Sequence, residues 1–210
     1  MSALPCAAAR MTVDHHGALE EAVFLALNRD AGPLLDRAAI VLSSPLFGVA
    51  VAVAIVLAVI ALARGRRRLA LLAAFALALA LSDLLGARVL RPLFARMRPC
   101  YALPPGAVRV LVSAADVGSI PSLHASNFFA MAAVAWAAGR RLGLAAVAVA
   151  AAVAWSRVHG GVHWPTDVVA GAGWGTLCGL AAVAAARRVV REDSTSLSPP
   201  QRGEGSGPPG

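Results

Sequence analysis

Long apolar runs alternate along the chain with short clusters of arginine. Five runs are apolar enough to form membrane-spanning helices, and they cover residues 45–63, 69–90, 123–138, 142–155 and 168–186. About 20 apolar residues in a helix cross the hydrocarbon core of a bilayer. The pattern therefore predicts an all-α fold, an integral membrane helical bundle with five strong transmembrane helices.

Residues 18–44 are amphipathic and lack a strong spanning pattern. Asn28, Arg29 and Asp30 interrupt the first apolar stretch, and Pro33 breaks or restarts a helix there. This pattern favours two short helices at the membrane surface, and a sixth span is the alternative that periodicity leaves open. Residues 18–191 are predicted to form one domain. A flexible tail, residues 1–17, precedes it, and a disordered tail rich in Ser, Pro and Gly, residues 192–210, follows it.

Composition supports the membrane class, with 59% hydrophobic residues, 14% charged residues and a mean hydropathy of +0.71. The net charge of +8 comes from arginine alone, because the sequence contains no lysine. Basic residues are not interleaved with aromatic ones, so nucleic acid is not an expected partner. The bilayer is the expected partner of such a chain.

The arginine clusters at residues 64–68, 140–141 and 187–191 predict the orientation of the helices, because positive loops stay on the cytoplasmic side. This orientation places residues 91–122 and 156–167 together on the opposite side of a cytoplasmic (inner) membrane. Seven candidate site residues then share one depth at the extracytoplasmic face: Arg91, Arg98, Ser122, His124, Arg157, His163 and Asp167.

These residue types favour a phosphate group as the substrate moiety. Arginine forks suit phosphate oxygens, and Ser122 opens a helix whose free amides can add donors. Two histidines, His124 and His163, permit nucleophilic attack and general acid catalysis near neutral pH. Asp167 follows His163 by four residues and can hold its tautomer. Neither carboxylate clusters nor His and Cys spacings predict a metal site, so no metal or other cofactor is expected.

Three motifs in this region resemble the type 2 phosphatidic acid phosphatases (PAP2) and the vanadium haloperoxidases, which share one site. Arg91 through Arg98-Pro99 is similar to the first motif, and Pro121-Ser122-Leu123-His124 is similar to the second. Ser156-Arg157, His163 and Asp167 match the third in full. Two positions depart from the family pattern, since Arg91 stands where lysine is usual and Leu123 replaces glycine.

The resemblance implies an all-helical membrane bundle that hydrolyses phosphate esters or anhydrides without a metal. It also implies the roles: His163 forms a phosphohistidine, His124 protonates the leaving group, and Asp167 orients His163. Four residues would bind the phosphoryl oxygens, namely Arg91, Arg98, Ser122 and Arg157.

The leading hypothesis is a membrane lipid phosphatase acting on a lipid phosphate or diphosphate. Undecaprenyl diphosphate is the first choice of substrate, and phosphatidic acid or phosphatidylglycerophosphate comes next. A vanadate-dependent haloperoxidase is the second hypothesis, although five spans argue against it because that branch of the family is typically soluble. A non-enzymatic carrier that only binds a phosphorylated lipid is the third.

Overall fold

The computed structural model describes residues 16–114 and 118–196, and every regular element within them is helical. The nine α-helices are α1 Ala18–Asn28, α2 Pro33–Leu42, α3 Pro45–Leu62, α4 Gly65–Ala80, α5 Arg91–Phe94, α6 Pro99–Ala102, α7 Leu123–Ala138, α8 Arg140–His159 and α9 Pro165–Ser196. A π-helical segment, Leu81–Leu90, joins α4 to α5. The predicted all-α class is confirmed. Residues 1–15 and 197–210, which belong to the predicted tails, lie outside the described residues, and α9 includes residues 192–196.

Four segments are long and apolar enough to cross a membrane: Pro45–Leu62, Gly65–Phe94, Arg140–His159 and Pro165–Val189. The remaining predicted run forms α7, which has 16 residues and is shorter than the others. Helix α7 contacts α3, α4, α8 and α9, and more of its residues are buried than in any other described helix. By contrast, only 11% of α3 is buried, so α3 lies at the edge of the bundle.

The second predicted span was expected to end at the Arg91-Pro92 step, and this boundary is wrong. Arg91 keeps helical angles, with φ −61° and ψ −47°, and the helix continues to Phe94. Pro92 falls in the first turn of α5, where hydrogen bonding changes from the π to the α pattern and a missing N–H is tolerated. The helix ends at Ala95, which has a left-handed φ of 42°.

The N-terminal segment forms two short helices, as predicted, and neither α1 nor α2 reaches the length of a span. Both helices pack on α8 near the end that carries the predicted site residues. Asn28 at the end of α1 is buried, and its side-chain amide donates to the carbonyl oxygens of Arg109 (2.9 Å) and His159 (2.7 Å). The two helices are therefore attached to the bundle by buried polar contacts.

Helices α7 and α9 approach each other along a row of small residues. Gly171, Gly175 and Gly179 recur every four residues on α9, so they lie on one face of that helix. A Cβ atom added at Gly175 would lie 1.9 Å from the carbonyl oxygen of Ser126, and one at Gly171 would lie 2.5 Å from that of Ser122. Only glycine allows the backbones to come this close, as is common in membrane helix pairs.

The predicted cytoplasmic arginines gather at one end of the bundle. Arg67, Arg187 and Arg188 line one groove there, and Arg67 Nη2 donates to the carbonyl oxygen of Ala137 at 3.1 Å. The start of α7, the end of α8 and the start of α9 all lie at the other end. The helix directions therefore bring the three candidate motifs together, away from the arginine clusters.

Candidate active site

One cavity of about 540 Å³ is lined by five of the seven predicted site residues. Each comes from a different place in the chain: the start of α5, the residue before α6, the first turn of α7, the last turn of α8 and the loop between α8 and α9. These residues are, in that order, Arg91, Arg98, His124, Arg157 and His163. The structure thus brings together residues that lie up to 72 positions apart in the sequence.

His163 is 1% exposed, and both of its ring nitrogens have partners. Nδ1 lies 3.3 Å from Oδ2 of Asp167, and Nε2 lies 3.0 Å from Nη1 of Arg98. Because a guanidinium can only donate, Nε2 must accept and the ring proton must be on Nδ1, where it faces the carboxylate. This tautomer leaves the lone pair of Nε2 on the side of the ring that faces the arginines.

Burial lowers the pKa of His163 well below its ordinary value of 6.5, and the charges of Arg98, Arg157 and Arg91 lower it further. The imidazole is therefore neutral at neutral pH, which is the form that can act as a nucleophile. Burial also lowers the pKa of Arg98, which nevertheless keeps its charge because an arginine pKa starts so high.

Asp167 is completely buried and accepts four hydrogen bonds. Oδ2 accepts from His163 and from the backbone N–H of Trp164 (2.8 Å), while Oδ1 accepts from Arg96 (2.8 Å) and Ser119 (3.3 Å). Asp167 is the third residue of α9, and its bond to the Trp164 amide is the contact that an acidic residue makes at this position in a capping box. The same carboxylate thus caps α9 and holds His163.

Two arginines flank His163 with few competing protein partners. Arg157 is 5% exposed, and its Nε atom has no hydrogen-bond partner within the described residues. Arg91 donates from Nε to the carbonyl oxygen of Pro121 at 3.3 Å. Buried donors without a protein acceptor are costly, so an anionic ligand in the cavity would satisfy them.

Ser122 and His124 belong to the start of α7. Ser122 precedes the helix and is completely buried, and its hydroxyl has no partner within residues 16–114 and 118–196. Its backbone N–H donates to the carbonyl oxygen of Asp167 at 3.0 Å, so that amide is not available to an anion. Ser122 does not line the cavity, whereas His124, two residues later, does.

The two departures from the family pattern have clear positions. Arg91 lines the cavity in place of the usual lysine. Leu123 also lines it, and its Cδ2 atom lies 2.6 Å from where a Cβ atom of residue 86 would be if Gly86 had one. Gly86 in the π-helical segment therefore provides the space that the leucine side chain occupies.

The sequence did not predict a role for Arg96, although it lies within the first motif. Its guanidinium is 7% exposed and forms ion pairs with Asp167 and Glu20. Asp83 lies on the cavity wall, where it accepts from the side-chain amide of Asn127 at 3.0 Å. The only sequence signal for Arg96 was its position inside the first motif, because its partner Glu20 lies 76 positions away.

The protein is a helical membrane bundle. Three arginines line its cavity next to the His163–Asp167 pair, an arrangement that can bind an oxyanion beside an imidazole. The sequence model of the PAP2 superfamily matches residues 68–191, which is more than half of the chain. The chain therefore belongs to the PAP2 superfamily, and the resemblance seen in its motifs is confirmed. This membership assigns the protein to the phosphoric ester or diphosphate hydrolases, as predicted.

Two solved structures share the fold. LpxE from Aquifex aeolicus is 24% identical, with a TM-score of 0.66 over 83% of this chain and 99% of LpxE. The first transmembrane PAP2 type phosphatidylglycerolphosphate phosphatase from Bacillus subtilis is 21% identical, with a TM-score of 0.60 over 88% of each chain. No curated protein matches the sequence. The fold is thus that of transmembrane PAP2 proteins.

Proposed function

We propose that this protein hydrolyses a lipid phosphate or diphosphate through a phosphohistidine on His163, without a metal. One observation carries the proposal: Nε2 of His163 accepts from Arg98 in a cavity lined by three arginines, while Nδ1 faces the buried carboxylate of Asp167. This is the geometry of an oriented nucleophile next to a set of oxyanion donors.

The proposed reaction has two steps. Nε2 of His163 attacks phosphorus, the bond from phosphorus to the lipid oxygen breaks, and His124 protonates that oxygen. Water then attacks the phosphohistidine, the bond between phosphorus and nitrogen breaks, and His124 takes the proton of the water. Arg91, Arg98 and Arg157 bind the phosphoryl oxygens and offset the charge that develops on them. The hydroxyl of Ser122 has no partner within the described residues, but Ser122 lies outside the cavity lining, so it would reach a phosphoryl oxygen only after a local shift.

The substrate is proposed to reach the cavity from the extracytoplasmic leaflet of the inner membrane. Support comes from the position of the cavity at the end of the bundle opposite to Arg67, Arg187 and Arg188, because positive clusters favour the cytoplasmic side. Undecaprenyl diphosphate is the first choice of substrate, on the family resemblance of a short chain with five strong spans and an amphipathic start. The name of the Bacillus subtilis neighbour favours phosphatidylglycerophosphate as the next candidate. Phosphatidic acid completes the panel of candidates.

Phosphate release from this panel tests the proposal, with wild type beside His163→Ala and His124→Ala, in the presence and absence of a chelator. We expect His163→Ala to lose activity by on the order of 10³-fold or more, because the nucleophile is gone. We expect His124→Ala to lose about 10² to 10⁴-fold on lipids. Its loss should be smaller on p-nitrophenyl phosphate, whose leaving group needs no proton. Wild-type rates in His163→Ala, or loss of wild-type activity on chelation, would contradict the mechanism.

The covalent intermediate gives a second test of the same residues. With p-nitrophenyl phosphate, His124→Ala should accumulate an acid-labile phosphoryl group on the protein, because the first step then needs no acid while the base for the second step is missing. His163→Ala should accumulate none. Labelling of His163→Ala equal to that of His124→Ala would place the nucleophile elsewhere.

A further inference from the structure

A second group of polar residues lies behind Asp167, on the side away from the cavity. It consists of Arg96, which precedes α6, Glu20 of α1 and Thr166 of α9, and none of them lines the phosphate cavity. Arg96 is 6% exposed, and the described contacts of its guanidinium are to these two residues, Asp167 and the ring of Trp164. Both terminal nitrogens of the guanidinium are thus engaged, Nη1 by Thr166 and Asp167 and Nη2 by Glu20, whereas Nε has no partner within the described residues.

The contact between Arg96 and Asp167 acts directly on the His–Asp pair. Nη1 of Arg96 donates to Oδ1 of Asp167 at 2.8 Å, while Oδ2 of the same carboxylate faces Nδ1 of His163 at 3.3 Å. An isolated buried carboxylate would gain a proton or turn toward another donor, because burial of an unpaired charge is costly. Arg96 offsets part of the cost of burying this carboxylate and holds the oxygen that does not face His163.

Glu20 in turn fixes Arg96. Its Oε2 atom accepts from Nη2 of Arg96, and its Oε1 atom accepts from the backbone N–H of Thr166 at 3.1 Å and from the Thr166 hydroxyl. The Thr166 hydroxyl also accepts from Nη1 of Arg96 at 2.6 Å. Because Thr166 is the second residue of α9, the Glu20 carboxylate satisfies a free amide at the positive end of that helix.

Electrostatics and packing hold this group together. Burial raises the pKa of Glu20, but the hydrogen bonds from Thr166 and Arg96 outweigh it and leave that pKa below its ordinary value. Phe24 of α1 is completely buried against Trp164, with ring centroids 5.2 Å apart, and the guanidinium of Arg96 lies 5.5 Å from the Trp164 ring centroid. Helix α1 is therefore fixed to the start of α9 by both apolar and ionic contacts.

We infer that Arg96, held by Glu20 of α1, is a positioning residue for phosphoryl transfer that acts on His163 through Asp167. This inference rests on the proposed function of His163. Residues that hold the ligands of a metal site contribute about 10 to 100-fold, and we expect an effect of that size from Arg96 by analogy. The amphipathic N-terminal helix thus contributes to catalysis through its contact with Arg96.

The test compares Arg96→Lys, Arg96→Gln and Glu20→Gln with Arg67→Gln, in the purified full-length protein on a short-chain lipid phosphate. Arg67 is a suitable control because its hydrogen bonds to Ala137 and Ala138 lie at the opposite end of the bundle. We expect Arg96→Gln to lower kcat by about 10 to 100-fold with KM within about twofold of wild type, because the cavity arginines are intact. Glu20→Gln should lower kcat by a smaller factor, Arg96→Lys should recover part of it, and Arg67→Gln should not change it.

Nitrogen-15 NMR of histidine-labelled protein gives a readout that does not depend on turnover. Wild type should show His163 as the Nδ1–H tautomer, which the donation from Arg98 to Nε2 sets in the variant as well. Arg96→Gln should instead shift the Nδ1 resonance, because the Asp167 oxygen that faces Nδ1 is no longer held in place. If the wild type hydrolyses no lipid phosphate but the Nδ1 resonance shifts in Arg96→Gln, the contact of Arg96 with the His–Asp pair stands and the proposed function fails. An unchanged kcat and Nδ1 resonance in Arg96→Gln, a raised KM with unchanged kcat, or a loss of kcat equal to the loss of folded protein would overturn the inference.

Discussion

The close approach of α7 and α9 makes Gly175 a sensitive position, and Gly175→Ala tests how strongly the site depends on it. The new Cβ atom would lie 1.9 Å from the carbonyl oxygen of Ser126, whereas ordinary contacts begin near 3.4 Å. The two helices must therefore separate by about 1.5 Å or tilt to the same effect. Overpacking of this kind costs about 1–3 kcal/mol in a well-packed core.

Separation of α7 and α9 would displace site residues on both helices. Ser126 lies two residues after His124 on α7, and Gly175 lies eight residues after Asp167 on α9. A misplacement of about 1 Å can cost about 10²-fold in rate, so we expect a fall in kcat of about that size. The loss of stability should appear as a lower thermal unfolding temperature in detergent.

Gly173→Ala is the matched control, because a Cβ atom at Gly173 has nothing within 4 Å. Both substitutions gain the same helix propensity, up to about 1 kcal/mol, so that gain cancels in the comparison. Gly175→Ala should therefore be less stable than Gly173→Ala by about 1–3 kcal/mol and also less active. Equal stability and equal kcat for the two variants would refute this account of the helix contact.

Two further predictions concern pH and the N-terminal helices. Because the folded protein lowers the pKa of His163 below 6.5, the acidic loss of kcat/KM should begin below pH 6.5. The unfolded chain takes up that proton near pH 6.5, so the contribution of His163 to stability is present above pH 6.5 and decreases as pH falls below it. An acidic limb centred on 6.5 in a pH-rate profile would contradict the lowered pKa. Asn28→Ala should lower the free energy of unfolding by about 1–3 kcal/mol, because it leaves buried groups of Arg109 and His159 unpaired, and unchanged thermal unfolding would exclude that role.

The bundle and the meeting of the motifs could be predicted from the sequence because two simple rules apply to them. Apolar run lengths identify helices in a bilayer, and the arginine clusters fix the direction of each helix. Once the directions alternate, Arg98, His124 and His163 must lie at the same end. The spacing of four residues between His163 and Asp167 then indicates their contact, and the structure places these side chains 3.3 Å apart.

The contacts behind the site could not be predicted in this way. Glu20 and Arg96 meet across 76 residues, and Glu20 meets Thr166 across 146, so no local spacing links them. The end of the second span was also misplaced, because the rule that proline disfavours a helix applies to α geometry. The preceding π-helical segment changes the hydrogen-bond pattern before Pro92, and a π segment has no clear signature in a single sequence.

The partner of the glycine row on α9 depends on the folded structure. Gly171, Gly175 and Gly179 have the spacing of a close helix contact. Which helix they face depends on the rotation of α9 about its own axis, and apolar runs without a polar face do not define that rotation. The contact with Ser122 and Ser126 of α7 emerges only from the folded chain.

The hydrogen bond between Arg98 and Nε2 of His163 has a consequence for the proposed reaction. Arg98 engages the electron pair that would form the new bond to phosphorus, so this hydrogen bond must break before His163 can attack. A phosphate group can accept two hydrogen bonds from Arg98, and its negative charge makes it a stronger acceptor than the imidazole. If His163 is the nucleophile, as proposed, binding of phosphate to Arg98 would free the attacking nitrogen, and the attack would depend on the presence of that group.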